Sequence, residues 1–223
     1  MGDSRTLEYM KLLNQLQKDV GEIHGEPIFR RFRRWQTVKS PEIRMHQQDY
    51  NPAWPDEFTV GAAAILQALA EYRPELHHIG STSVPRMASK PIVDMVVALE
   101  DRDHIGAARS RLSAIGYTCW GNSPVHPDVD WLWHARSTPA QRVIHLCVRD
   151  NPWVSAAVNF RDYLCERPQK HSEYMRLKQR LVSESGNDLA LYSVKKASLL
   201  YRFNIEANAW RASKKGGTRQ FLS

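Results

Sequence analysis

The chain is predicted to fold as an α/β or α+β domain with a helical C-terminal half, and three observations predict it. Apolar residues recur at helical spacing near the N-terminus. Two short, nearly continuous apolar runs of strand length, around Pro91 to Leu99 and Arg142 to Arg149, lie in the middle of the chain. The remainder reads as helix-period segments broken only at Pro168 and at Gly186-Asn187. With 42% hydrophobic and 25% charged residues, 223 residues carry enough apolar material for one sizeable core. No apolar run approaches the roughly 18 residues of a membrane span. The N-terminal MGDSRTLEYMKLL lacks the basic-then-apolar order of a signal peptide, so the expected address is the cytoplasm and no membrane partner is expected.

The elements follow in order. Leu7, Met10, Leu13, Leu16 and Val20 predict an amphipathic helix over residues 4–20, capped by Asp3 or Ser4, at the start of a helical extension spanning 1–44. FRRFRRW (Phe29 to Trp35) interleaves four arginines with aromatics, a pattern that suits phosphate or stacked-base contact and equally a solvated basic linker. Tyr50 to Phe58 reads as a strand end and a turn into a helix that carries Phe58, Ile65, Leu66 and Leu69, with Asp56 near its start. After the strand over 91–99, Asp103 is expected to cap a helix ending at Gly116. Strands are expected over 117–120, 129–136 and 142–149, and helices over about 153–166, 170–185 and 188–208. A main domain over 45–208 would then be followed by a basic tail over 209–223.

The formal charge of +7 favours anionic partners: nucleotides, phosphorylated metabolites or nucleic acid. Nucleic acid rests on net charge and the FRRFRRW segment alone, and a small ligand is preferred. Cys119, Cys147 and Cys165 are odd in number and lack CxxC spacing, which excludes a disulfide framework and a cysteine zinc cluster.

The chemistry concentrates in HIGSTSVPRMASKPIVDMVV (His78 to Val97), where a hydroxyl-rich turn precedes an apolar strand holding one carboxylate. An unpaired buried carboxylate costs several kcal/mol, so Asp94 must be ligated, paired or placed at an edge. Strand alternation puts Asp94 on the face of Ile92 and Val96, and puts His145 and Cys147 on one face of the later strand. If those strands are neighbours, imidazole, thiol and carboxylate come together, a set that suits a metal such as zinc; ordinary packing is the plain alternative. Glycine in Gly80-Ser81-Thr82-Ser83 lets a phosphate approach the backbone, the hydroxyls and amides donate to it, and Lys90 adds a point charge. The turn matches neither the P-loop nor the dinucleotide fingerprint.

HIGSTSVP (His78 to Pro85), KPIVDMVV (Lys90 to Val97), Tyr50-Asn-Pro-Ala-Trp-Pro55, FRDYL (Phe160 to Leu164), Tyr174-Met-Arg-Leu-Lys178 and Tyr192-Ser-Val-Lys-Lys196 together resemble the GrpB family over about residues 45–205. That family is assigned to the nucleotidyltransferase superfamily and is sometimes fused to dephospho-CoA kinase. The resemblance implies a nucleotidyltransferase-like small mixed β-sheet flanked by helices. It also implies a site in which Gly80, Ser81, Thr82 and Ser83 cradle a nucleoside triphosphate, Asp94 binds Mg²⁺ or another divalent cation, and His145 ligates the cation or handles the acceptor's proton. Lys90, Arg161, Lys178 and Lys196 are the candidate phosphate partners, although Arg161 could equally pair with Asp162 and Lys178 with Tyr174.

Three positions depart from the family pattern. Val96 stands where active nucleotidyltransferases usually carry a second acid. His145-Leu-Cys147 replaces the usual HLH, and Arg86 replaces the glycine usual after the VP of the turn. Two-metal transfer needs more carboxylates than Asp94, and Asp128, Asp130 and Asp162 are the possible supplements. The expected function is nucleotidyl transfer to, or activation of, a small-molecule acceptor; a non-catalytic nucleotide-binding module acting through a partner protein is the alternative.

Overall fold

The computed structural model describes residues 2–20, 22–23, 26–27, 47–122, 126, 128–134, 140–186 and 189–217. The FRRFRRW segment lies outside the described residues. Helix α1 (Gly2–Val20) buries Leu13 and Leu16 and leaves Leu7 and Met10 exposed, and it packs on the C-terminal helix. Strands β1 (Glu22–Ile23) and β2 (Glu26–Pro27) form a short antiparallel pair where the helical extension was expected to continue.

Five strands form the main sheet, with β3 (Glu75–Ile79), β4 (Ile92–Leu99), β5 (Thr118–Asn122), β6 (Asp130–His134) and β7 (Gln141–Val148) in the order β3-β4-β7-β6-β5. Only β4 and β7 run parallel, with Asp94 opposite Val143 and Val96 opposite His145. The sheet is therefore mixed. Helices α2 (Trp54–Ala68) and α3 (Ile105–Ala114) cover the face of Val93, Met95, Val97, Leu99, Ile144 and Leu146, where fully buried Trp54, Ile65, Leu69 and Leu112 complete the core. The other face presents Ile79, Val96, Ala98 and Cys147 to helix α4 (Pro152–Glu166). The nearly continuous apolar run of β4, which fills both faces, is what a central strand buried on two sides requires.

Helices α4, α5 (Pro168–Ser185) and α6 (Leu189–Gly217) enclose a further apolar cluster of Phe160, Leu164, Tyr174, Phe203 and Trp210, and Val84 and Met87 from the β3–β4 connection insert into it. This cluster anchors the connection that carries the Gly-Ser turn. Pro152 starts α4 behind an Asn151 cap that accepts from Trp153 N at 3.0 Å, and Pro168 starts α5. Helix α6 runs to Gly217, past the expected end of the last helix at 208. Asp103 does not cap α3. Asp101 caps the short 3₁₀ turn Arg102–His104 ahead of the helix, its carboxylate accepting from Asp103 N, and the helix's own N-cap position is His104, without a side-chain cap bond. Among the described residues no helix is long and apolar enough to cross a membrane.

Arg142 on β7 donates to Glu57 on α2 at 2.7 Å, with both side chains 14% exposed. Removing one partner of such a buried pair typically costs about 3–5 kcal/mol. The pair fixes α2 against the sheet, and Gly61 permits it, since a β-carbon there would meet Arg142 Cδ at 2.9 Å.

The connection after the Gly-Ser turn holds a conformational cost. Met87 N–H donates to the Val84 carbonyl at 3.3 Å, closing a turn with Pro85 second and Arg86 third. Arg86 has φ +64, the third-position geometry of a type II turn that favours glycine. Arg86→Gly is expected to raise stability by about 0.5–1 kcal/mol, a left-handed arginine's strain less the extra freedom of an unfolded glycine. Urea denaturation of the two proteins measures this directly.

Candidate anion and cation site

The end of β3, the turn that follows it and the first half of β4 meet at one point. Gly80 adopts φ 72, ψ −172, a region open essentially to glycine alone. A β-carbon at Gly80 would stand 2.6 Å from Asp94 Oδ2, so the backbone of the turn lies directly against the carboxylate. Residues Ser81–Ser83 form a 3₁₀ turn, in which the Ser83 hydroxyl donates to the Gly80 carbonyl at 2.6 Å.

Thr82 and His78 lock this turn to the sheet. The fully buried Thr82 hydroxyl donates to the Ile92 carbonyl at 3.1 Å, so the hydrogen in its 3.0 Å contact with His78 must come from His78 Nε2. His78 is therefore the Nε2–H tautomer. Burial, assisted by the Arg161 charge and opposed by Asp94, lowers its pKa to about 4 and keeps the ring neutral. Phe58 stacks on the ring with centroids 4.9 Å apart.

Asp94 is paired. His145 Nε2 lies 3.1 Å from Asp94 Oδ1, with the carboxylate side chain 31% exposed and the imidazole 10% exposed. An ionised carboxylate only accepts, so Nε2 carries the proton, and His145 Nδ1 is buried without a hydrogen-bond partner. Trp153 and Trp131 flank the imidazole at centroid distances of 4.9 and 5.6 Å. Cys147 lies on the same face of β7 but opposite Ala98, 1% exposed, and burial pushes its thiol up to about 12. It packs in the core beyond the site.

Three lysines from separate elements lie near enough to Asp94 to feel its charge. Lys90 precedes β4, with Nζ 4.5 Å from the Tyr192 ring centroid, and burial together with the Lys196 charge lowers its pKa to about 8 against the pull of Asp94. Lys178 on α5 is 3% exposed and donates to the Ala88 carbonyl at 2.9 Å; burial, then Lys196 and Lys90, hold its pKa well below the usual lysine value. Lys196 on α6 is half-buried near both. Buried Tyr174 bonds Ser81, and its hydroxyl is pushed up to about 12, chiefly by burial. Among the described residues none of the three lysines lies within ion-pair distance of a carboxylate.

The remaining candidates sit elsewhere. Arg161 is engaged by Asp162 at 2.7 Å and by the His78 carbonyl at 3.0 Å, so it ties α4 to β3. Asp162 also pairs with Arg211. Asp130 faces α3, where Arg109 lies 3.1 Å away and Asn122 donates at 2.8 Å, and Asp128 pairs with Arg102. None of these acids supplements Asp94. Sequence reasoning missed His78, Tyr174 and Tyr192 as site residues. The repeated Tyr-x-x-x-Lys spacing, Tyr174 to Lys178 and Tyr192 to Lys196, was the available signal, because it puts each pair on one helix face.

A family model described as "GrpB protein" matches residues 44–204. The chain belongs to the GrpB family. A UPF0157 protein of Streptomyces coelicolor is 32% identical over 78% of this chain and 90% of its own length. The crystal structure of the conserved protein GrpB from Enterococcus faecalis superposes with a TM-score of 0.65 and 28% identity, covering 74% of this chain and 99% of that one. A slighter likeness, TM-score 0.44 and 17% identity over 76% of this chain and 53% of that one, links it to terminal uridylyl transferase 4 from Trypanosoma brucei with bound UTP; it carries no argument about activity.

Gly80→Ala is expected to cost about 2–4 kcal/mol, from backbone strain and the contact with Asp94. In an Asp94→Ala background the 2.6 Å contact with Oδ2 is gone and the 3.2 Å contact with Cβ remains, so the cost falls toward the strain alone, about 1–3 kcal/mol. Chemical denaturation of the four proteins reads this coupling.

Proposed function

We propose that this GrpB-family chain binds the phosphate chain of a nucleoside triphosphate in the cleft between the Gly80–Ser83 turn and the three lysines, with a divalent cation such as Mg²⁺ on Asp94. It then transfers a nucleotidyl group to a small-molecule acceptor or activates that acceptor. The observation that carries this reading is the apposition of the Gly80 backbone and Asp94 Oδ2 near three lysines that, among the described residues, lack carboxylate partners. Clustered ammonium groups repel one another, and a ligand with several negative charges removes that cost. Such a ligand fits the cytoplasm, where nucleoside triphosphates are available.

The donor set fits a magnesium ion held by few protein ligands. Among the described residues no group of three or more His, Cys, Asp or Glu side chains is placed to hold a metal. Mg²⁺ commonly takes one or two carboxylates and fills its remaining positions with phosphate oxygens and water. Asp94 Oδ1 accepts from His145, which leaves Oδ2, beside the turn, as the ligand atom. His145 Nε2 could ligate only by passing its proton to Nδ1, which has no acceptor, so His145 fits better as the group that orients Asp94. The cation would neutralise charge developing on the phosphates during transfer.

A second reading, a non-catalytic phosphate-binding module acting through a partner protein, is favoured by the isolation of Asp94. Val96 is fully buried, and the other candidate acids are engaged away from the cleft. Incubation with each α-labelled nucleoside triphosphate, Mg²⁺ and a metabolite pool separates the two. Pyrophosphate release supports transfer, and saturable binding without release supports the module.

Asp94→Asn keeps an oxygen that accepts from His145, so its apo stability is expected to stay within about 1 kcal/mol of wild type. Mg²⁺-dependent triphosphate binding is expected to disappear in the same variant. Calorimetric titration checks the second point, and undiminished Mg²⁺-dependent binding contradicts the assignment of Asp94.

A further inference from the structure

A cavity lies on the face of the sheet opposite Asp94. It occupies about 320 Å³ between helix α3 and the ends of β5, β6 and β7, and Arg102, Arg109, Asn122, Asp128 and Asp130 form its charged and polar wall. The strand register places it there. Asp130 pairs with Leu146, which packs on the α3 side of the sheet, whereas the adjacent His145 turns to Asp94 on the other side. Gly106 leaves the first turn of α3 open to the cavity, because a β-carbon there would meet nothing within 4 Å.

Asp130 is the unusual member of this wall. Its side chain is 8% exposed, and Oδ1 accepts from Asn122 at 2.8 Å. Oδ2 is buried and accepts no hydrogen bond among the described residues, although Arg109 Nε lies 3.1 Å away. Burial raises the Asp130 pKa against the opposing charge of Arg109, so that pairing leaves the carboxylate under-compensated. Arg109 is 46% exposed, and Arg102, 64% exposed, donates to Asp128 at 3.2 Å. A guanidinium has several N–H donors, so each arginine keeps some beyond those turned to its aspartate.

We propose that this cavity binds a small zwitterion of the α-amino-acid class, its carboxylate held by Arg102 and Arg109 and its ammonium by Asp130. The charged wall sets two arginines against two aspartates, so an ion of one sign is opposed by half of it, while a ligand carrying both signs complements the whole. Binding requires one exchange. Arg109 leaves Oδ2 and lays its planar fork on the ligand carboxylate, and the ammonium takes the vacated place and donates the hydrogen bond that Oδ2 lacks. Asp130 trades one cation for another, so its buried charge is not left unpaired. The first turn of α3 brings the positive end of the helix dipole to the anionic end of the ligand. A volume of about 320 Å³ is at the small end of ligand pockets and suits one amino acid. The site is independent of the Asp94 cleft and of nucleotidyl transfer.

The test is calorimetric titration of the full chain with each common L-amino acid. For the tightest binder the matching 2-hydroxy acid, which lacks the ammonium, and the matching amide, which lacks the carboxylate, are then titrated. Each analogue is expected to bind at least about tenfold more weakly, the factor for one lost hydrogen bond to a charged group. Arg109→Gln, at a half-exposed position, is expected to weaken the amino acid by a similar factor, and saturating inorganic triphosphate is expected to leave its affinity unchanged. Absence of saturable binding by every amino acid overturns the inference. Equal affinity for amino acid and hydroxy acid, or undiminished affinity in folded Arg109→Gln, overturns the assignment of the two ends. Displacement of the amino acid by inorganic triphosphate overturns it as well, because a simple anion pocket would then suffice.

Discussion

A β-carbon at residue 80 would stand 2.6 Å from Asp94 Oδ2, and the cleft is arranged around that exclusion. Because the turn can lie on the carboxylate only through a glycine, the backbone amides that follow and the Asp94 oxygens share one small space. The surrounding structure holds the contact in place. Thr82 ties the turn to β4 and β3 through the Ile92 carbonyl and neutral His78, His145 holds the far oxygen of Asp94, and Val84 and Met87 are gripped by the C-terminal helical cluster. The sheet, the turn and the helical half are thereby coupled at one point, as a site built on rigid elements requires.

The same site carries an electrostatic cost at Lys90 and Lys178, whereas Lys196, against burial, is held above the usual lysine value by Tyr192, Tyr174 and Asp94. Lys90, Lys178 and Lys196 come from a loop and two helices and, among the described residues, face one carboxylate, Asp94. A structural role would place acids among them, as elsewhere in the chain, where Arg142 has Glu57, Arg211 has Asp162 and Lys170 has Glu206. Destabilised charge clusters of this kind are expected where a ligand supplies the missing counter-charge. Lys178 adds structure to this role, since its bond to the Ala88 carbonyl fixes the loop that delivers Lys90.

Much of this was legible in the residues. Alternation in PIVDMVV and in Arg142 to Arg149 assigned Asp94 and His145 each to a face of its own strand and left their meeting conditional on the strands being neighbours; parallel pairing of β4 with β7 brings them to 3.1 Å. The same alternation put Cys147 on that face, but its position one pleat further along the strand carries it into the core. The proline and glycine breaks marked the first two C-terminal helices and the start of the third to within a few residues, because those residues act on the local backbone, while the end of the third, expected at 208, lies at Gly217. Long-range partners were not legible. Nothing local in Glu57 or Arg142 announces a pair 85 residues apart in sequence, and Asp128, Asp130 and Asp162 were drawn to their own arginines by tertiary packing. His78 escaped notice because its role depends on the proton arrangement of Thr82, which only the folded geometry fixes.

The most direct measurement is anomalous diffraction from crystals soaked with Mn²⁺ and a non-hydrolysable nucleoside triphosphate. The account predicts a manganese peak about 2.1 Å from Asp94 Oδ2, phosphate density against the Gly80–Ser83 amides and within reach of Lys90 and Lys196, and His145 still on Oδ1. Triphosphate density seated elsewhere, such as the cleft between Arg102 and Arg109, with no metal at Asp94, would contradict it.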